Sequence, residues 1–156
     1  MSQSVVHKME ASRLYRLADL IEEFASHHAP NPGQVANSWH ESTVRQMEAE
    51  LCHVYFVTEN GKPSGKPIGM LSVYLMPHPW TGKIEIHEQI WFVTEEHRDF
   101  GAGLDLLRFL DEEAPRLGAE RIIMTHLNNP TGDRLRKVLH RFGYQPLDIN
   151  YYKEVN

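Results

Sequence analysis

A lone cysteine sets the first limit on this chain. With only Cys52, no disulfide can close within it, and neither a CxxC redox site nor a cysteine-rich zinc site exists. Long apolar runs are missing too. No segment approaches the roughly 18 continuous apolar residues of a membrane-spanning helix, and the opening MSQSVVHKME has no apolar h-region. A soluble, cytoplasmic protein with no membrane partner is expected. A basic excess is also absent: 16 Lys and Arg stand against 21 Asp and Glu, for a net charge of −5. Dedicated nucleic-acid binders show the opposite balance, so nucleic acid is not the expected partner. Ten histidines are present, but no HExxH or Cys/His spacing joins them. His27 and His28 are adjacent, and adjacent side chains on a helix do not face each other. No metal site is expected.

What is present suits one globular domain over residues 1–156. A chain of 156 residues buries about two thirds of its unfolded surface, and an apolar fraction of 41% with 10% aromatics is enough for a core. No repeat, linker or low-complexity segment interrupts it.

From Ala11 to Ala25, Leu14, Leu17, Ala18, Ile21, Phe24 and Ala25 recur with a 3.6-residue period, predicting an amphipathic helix that ends in the breakers of HHAPNPG. Ser38-Trp39-His40-Glu41 has the form of a capping box, and Val44, Met47 and Leu51 continue a helical face, predicting a second helix over about 38–50. The texture then changes to β-branched and aromatic runs: Cys52 to Thr58, Ile68 to Met76 and Ile84 to Val93, separated by NGKPSGKP and PHPWTGK. Connections this short predict an antiparallel meander. Leu104, Leu107, Leu110, Ala114 and Leu117 mark a helix, with Pro115 shortening its last turn and Gly118 ending it. Arg121 to His126 reads as a buried strand, and reaching it through a helix makes it parallel to Ile84–Val93. Asn129-Pro130 reads as N-cap and N1 of a last helix, stopped by Gly143. A β-like tail follows, with YYKEV as an edge strand. The fold class is α/β, one mixed sheet with helices on both faces.

Between the third strand and its helix lies Arg98-Asp99-Phe100-Gly101-Ala102-Gly103. Glycines here cost conformational entropy, so they mark a close approach of backbone to something. A Rossmann fingerprint would need glycine where Leu106 stands, and GKPSGKP lacks the spacing of a P-loop. What remains is physical. Gly101 and Gly103 at a helix start let several N–H groups converge on an anion, with Arg98 as a cation beside them and a strand end adjacent. A pyrophosphate on an extended, amide-containing chain suits all three features, and coenzyme A is such a molecule.

Arg98-Asp99-Phe100-Gly101-Ala102-Gly103 resembles the R/Q-x-x-G-x-G/A signature of the GCN5-related N-acetyltransferase (GNAT) superfamily, small bacterial or phage-type members in particular. The element order from about residue 10 to the end, and RKVLHRFGY near the end, are similar to that family. The resemblance implies a GNAT-like mixed sheet: an antiparallel meander plus a splayed parallel strand pair, with acetyl-CoA as co-substrate in the opening between them. It implies pantetheine pairing at Trp91, Phe92 and Val93. Pyrophosphate would sit on the amides of Phe100, Gly101, Ala102, Gly103 and Leu104, with Arg98 beside it and Asn128 or Asn129 near the pantetheine arm. Asp99 replaces a glycine of many members, so it is expected to point to solvent, with Glu95, Glu96 and Asp111. The position of the tyrosine that many members use as general acid, four before Gly143, is Leu139 here.

Acetyl transfer needs an amine with a free lone pair, and an amine of pKa about 10.4 is protonated at neutral pH, so a base is required. The third strand offers Glu85, His87, Glu88 and Gln89. Alternation puts Glu85, His87, Gln89 and Trp91 on one face and Ile84, Ile86, Glu88 and Ile90 on the other. His87, eleven residues before Arg98, is one candidate base, with Glu85 to orient it. Glu88 is the rival if a bulge shifts the alternation, and a purely structural polar patch is the third reading. His126 ends the next strand near the same cleft. Trp39 and Trp80 are placed in or beside loops bordering the acceptor. Arg134, Arg136, Lys137 and Arg141 make the last helix basic. Cys52, far from the glycine loop, is not expected to act as a nucleophile.

The expected function is acetyl-CoA-dependent N-acetyl transfer to a small-molecule or protein amine. Two others compete: a non-catalytic acyl-CoA-binding regulatory module, and a toxin-like aminoacyl-tRNA acetyltransferase. A C-terminal edge strand permits a homodimer.

Overall fold

The structure, a computed structural model, describes residues 3–27, 31–126 and 130–155. They form two compact units, one through Met124 and one from Thr125.

The first unit is built on a five-stranded sheet in which sequence order is also spatial order. Its strands are β1 (Val6–Lys8), β2 (Cys52–Thr58), β3 (Pro67–Pro77), β4 (Ile84–Val93) and β5 (Arg121–Ile123). The first three junctions are antiparallel, the meander that the short turns predict. β4 and β5 run parallel, pairing Glu85 with Arg121, Ile86 with Ile122 and His87 with Ile123. Among the described residues pairing stops there, because β5 ends at Ile123, short of the expected His126, while β4 continues to Val93. This is the splayed parallel pair. β1 was not legible beforehand, because Val-His-Lys is too short to show a period. It is held as an edge strand by its ladder with β2, and the Met9 N–H donates to the Val54 carbonyl at 2.8 Å just beyond it.

Helices cover both faces of this sheet. On one lie a 3-10 segment (Ala11–Leu17), α1 (Ala18–Ser26) and α2 (Pro32–Glu48). The single helix expected from Ala11 is thus split. Its buried leucines, Leu14, Leu17 and Leu20, recur every third residue, which is the repeat of a 3-10 turn and stacks them on one line. α2 begins at Pro32, six residues before the expected Ser38, so the apparent capping box lies inside a helix. Proline is tolerated in the first turn because its missing N–H has no helical acceptor there. Leu14 and Leu17 are fully buried against Val54, Phe56, Met70 and Phe92, each worth about 1.5–3 kcal/mol of transfer free energy. On the other face lies α3 (Ala102–Glu113), whose Leu106 and Leu110 pack on Tyr55, Leu71, Val73 and Ile86. α3 stops at Glu113, before the expected Leu117 and Gly118, because Pro115 cannot continue it; Gly118 follows with a positive φ of 71°.

The second unit contains α4 (Pro130–Arg141), closed by Gly143 at φ 84°. Residues 144–155 contain no strand, which corrects the expected closing edge strand. Their alternation of Leu147, Ile149 and Tyr151 is strand-like, but a strand exists only in a ladder, and these side chains are exposed. Asn128 and Asn129 lie outside the described residues. No helix among the described residues is long and apolar enough to cross a membrane.

Candidate active site

The site is set by one extra residue in β4. Ser72 of β3 faces Ile90, but its neighbour Val73 faces Glu88, so Gln89 is unmatched. Such a bulge keeps two successive side chains on one face and reverses the alternation beyond it. Glu85 and His87 therefore lie on the α1–α2 face, opposite Met76 and Tyr74, and Glu88 lies on the α3 face opposite Val73. Gln89 stays with Glu85 and His87, its Oε1 accepting the Ser72 hydroxyl at 2.7 Å. Past the bulge, Ile90 and Phe92 enter the core beneath α1, while Trp91 turns to α3. Strict alternation placed Trp91 with His87 and Ile90 with Ile86; the bulge overturns both placements.

Glu85 is buried and shared. One oxygen, Oε2, lies 3.1 Å from His87 Nε2; the other, Oε1, lies 3.4 Å from Arg121 Nη1. The His87 side chain is 33% exposed, so its ring has access to solvent while one nitrogen is committed. The predicted pair is brought together. Glu88 is half-buried on the opposite face and does not join it.

Beyond Val93 the chain makes a 3-10 turn, Glu95–Phe100, then Gly101 at φ 78°, then α3. The N-cap of α3 is Gly101, which has no side chain to accept from the N–H groups of the first turn. The two glycines do different work. A Cβ at Gly101 would meet no protein atom within 4 Å, and only its left-handed φ calls for glycine. At Gly103 a Cβ would touch Trp91 Nε1 and Val93 Cγ2 at 3.6 Å, an ordinary contact. The Trp91 indole N–H donates to the Gly103 carbonyl at 3.0 Å, tying the loop to β4. Ala102 is fully buried and Leu104 half-buried. Arg98 is exposed; its Nε donates to the Val93 carbonyl at 3.2 Å, and its guanidinium lies 5.7 Å from the centre of the Phe92 ring. Glu95, Glu96, Asp99 and Asp111 are exposed, as expected.

Several participants were missed. Arg121 reads in sequence as the first residue of a strand, and only the parallel register delivers it to Glu85. Tyr74 is the register partner of His87; burial, then the nearby Cys52, pushes its hydroxyl pKa up and keeps it protonated. Cys52 is buried, and burial pushes its thiol up to about 11. Trp39 lies within α2, half-buried, and Trp80 sits exposed in the β3–β4 turn. His126 is exposed, as are Arg134, Arg136, Lys137 and Arg141 of α4. Among the described residues no group of His, Cys, Asp and Glu is arranged to hold a metal.

The model of the acetyltransferase (GNAT) family matches residues 14–144. The chain belongs to that family. As a member it is an N-acetyltransferase. A search of curated protein sequences finds no match. Among solved structures, an aminoglycoside acetyltransferase from an uncultured soil metagenomic sample superposes with a TM-score of 0.76 at 18% identity, over 97% of each chain. The ribosomal-protein-alanine N-acetyltransferase of Brucella melitensis biovar Abortus 2308 gives 0.73 at 16% identity, over 96% of this chain and 99% of that one. AAC(6')-Iy, solved with the bisubstrate analog CoA-S-monomethyl-acetylneamine, gives 0.74 at 13% identity, over 99% and 100%. At these identities the likeness is one of fold.

Proposed function

We propose that this acetyltransferase moves an acetyl group directly from acetyl-CoA to a small-molecule or protein amine. The observation that carries the reading is the α3 N-terminus. The N-cap of α3 is a left-handed Gly101 with no side chain and open space where a Cβ would lie, and among the described residues β4 runs on past its last pairing with β5 at His87. Converging N–H groups and the helix dipole suit a pyrophosphate, and the free strand edge suits the amides of pantetheine. The amides of Phe100 through Leu104 would hold the anion, with Arg98 at its side. The β4 backbone at Trp91, Phe92 and Val93 would hold the arm. The co-substrate supplies an activated thioester carbonyl.

His87, held by Glu85, takes a proton from the incoming ammonium. The freed amine then forms the C–N bond as the C–S bond breaks; the acylated nitrogen gives up one proton and the departing thiolate takes up one, so charge and protons balance. A β4 amide facing the carbonyl oxygen would stabilise the negative charge that develops on it.

The test is calorimetric titration with acetyl-CoA, CoA and ATP, repeated on Gly101→Glu. Binding of acetyl-CoA and CoA but not ATP, lost in the variant, is expected. Absence of CoA binding by folded protein would overturn the reading. Leu139, standing where many relatives carry an acid tyrosine, favours a second reading in which the chain binds acyl-CoA without turnover. Loss of thioester in the presence of an amine panel separates the two.

A further inference from the structure

Arg121 has no part in the scheme above, yet it is the cation nearest the carboxylate that holds His87. It is the first residue of β5, and the parallel register sets it beside Glu85. Its Nη1 lies 3.4 Å from Glu85 Oε1, while Glu85 Oε2 lies 3.1 Å from His87 Nε2. A carboxylate only accepts hydrogen bonds, so the ring nitrogen facing it carries the proton, and Nδ1 is left with the lone pair. The Arg121 side chain is 52% exposed, and an ion pair so placed contributes little to folding. Its effect falls instead on the buried carboxylate that it shares with His87.

We propose that Arg121 is a positioning residue of the active site. By holding one oxygen of Glu85 it leaves the other to His87, fixes Nδ1 as the basic atom, and limits how strongly the carboxylate favours the protonated ring. This rests on the reading of His87 as the base. The step is a simple exchange: an ammonium gives one proton to Nδ1, leaving a neutral amine and an imidazolium whose Nε2–H stays on Glu85. Arg121 offsets part of the Glu85 charge, so the imidazolium gives its proton up again. β3 brings Tyr74, a neutral phenol whose pKa burial raises further. α2 places Gln46 by the Tyr74 hydroxyl, while the charges of Glu41 and Arg45 are exposed. From α1, the Glu23 carboxylate accepts the Glu95 N–H at 3.3 Å. α3 lies on the opposite face, with Glu88.

The variants are Arg121→Gln, Arg121→Lys and Glu85→Gln, each checked for folding by circular dichroism. Two readouts are taken: the acid limb of kcat/KM against pH, and the titration of the His87 ring by NMR in protein free of ligand. Without Arg121 the full Glu85 charge favours the protonated ring, so both midpoints move to higher pH in Arg121→Gln. They move to lower pH in Glu85→Gln and return towards the parent in Arg121→Lys. Opposite displacements are not produced by a merely structural pair. Midpoints that stay fixed, or that move the same way in both neutral variants, overturn the proposal. If the NMR midpoints separate as stated while no variant changes the activity profile, the relay stands and His87 is not the base.

Discussion

Gly101 and Gly103 stand two residues apart, yet substituting each with alanine should move stability in opposite directions. Gly101 has φ 78°, a region in which an L-residue costs roughly 1–2 kcal/mol. A chain of this size loses about 2–4 °C of Tm per kcal/mol, so Gly101→Ala should melt about 2–8 °C lower. Gly103 lies in the first turn of α3 with no positive φ, and its new methyl would meet Trp91 and Val93 at an ordinary 3.6 Å. Alanine there restricts the unfolded chain at no steric cost and should add about 0.4–1 kcal/mol. Ligand discriminates further. At about 100 times its Kd, acetyl-CoA should stabilise the parent by about 2.7 kcal/mol. Gly103→Ala should keep that increment. Gly101→Ala puts a methyl into the open space where the anion is proposed to sit, and should lose half of it or more, about tenfold in Kd for each 1.4 kcal/mol. Thermal melts with and without acetyl-CoA measure all four quantities. Equal stability losses at both positions would refute the backbone argument. An unchanged ligand increment in Gly101→Ala would refute the anion site.

Other expectations concern the scaffold. The buried Glu113 carboxylate lies 2.6 Å from Lys8 Nζ and 3.0 Å from Arg116 Nη1, joining α3 to β1, and the Lys8 hydrogen bond chiefly holds its pKa below the ordinary 4.5. A depressed carboxyl stabilises fully above its unfolded pKa, so this contribution is whole at neutral pH and fades as pH falls below about 4.5 through the folded value. Glu113→Gln should flatten that part of the acid limb of stability in urea melts run at several pH values; an unchanged acid limb would count against the clasp. Cys52, with its thiol at about 11 and buried, should react with a thiol reagent only as fast as the fold opens, and an immediate reaction in the native state would contradict its placement. Leu17→Ala, at a fully buried position under the sheet, should cost about 2–5 kcal/mol in denaturant melts. A cost under 1 kcal/mol would mean that the 3-10 segment is not anchored in the core.

Elements with a long period or short turns were readable. The meander, α3 and the crossover to β5 follow from strand runs joined by turn chemistry and from an amphipathic stripe ended by Pro115. What sequence could not show depends on partners. β1 has three residues and exists because β2 offers an edge. The 144–155 tail alternates like a strand but has no ladder. Pro32 begins α2 without an apolar stripe to announce it, so a capping box six residues later drew the boundary.

The same division runs through the site. Sequence alone determined that Gly101 must sit at the start of a helix behind a strand, because backbone conformation and local order are encoded locally. It also put Glu85 and His87 on one face, since their spacing of two lies before the bulge. Only the tertiary structure decided that Gln89 is the extra residue, that Trp91 turns to α3 to hold the Gly103 carbonyl, and that Arg121 reaches Glu85. A bulge is fixed by register against β3, and a parallel neighbour by the crossover that runs from the end of β4 at Val93 through α3 to Arg121. Neither leaves a mark in the local pattern, because both arise from pairing between segments that are distant in the chain.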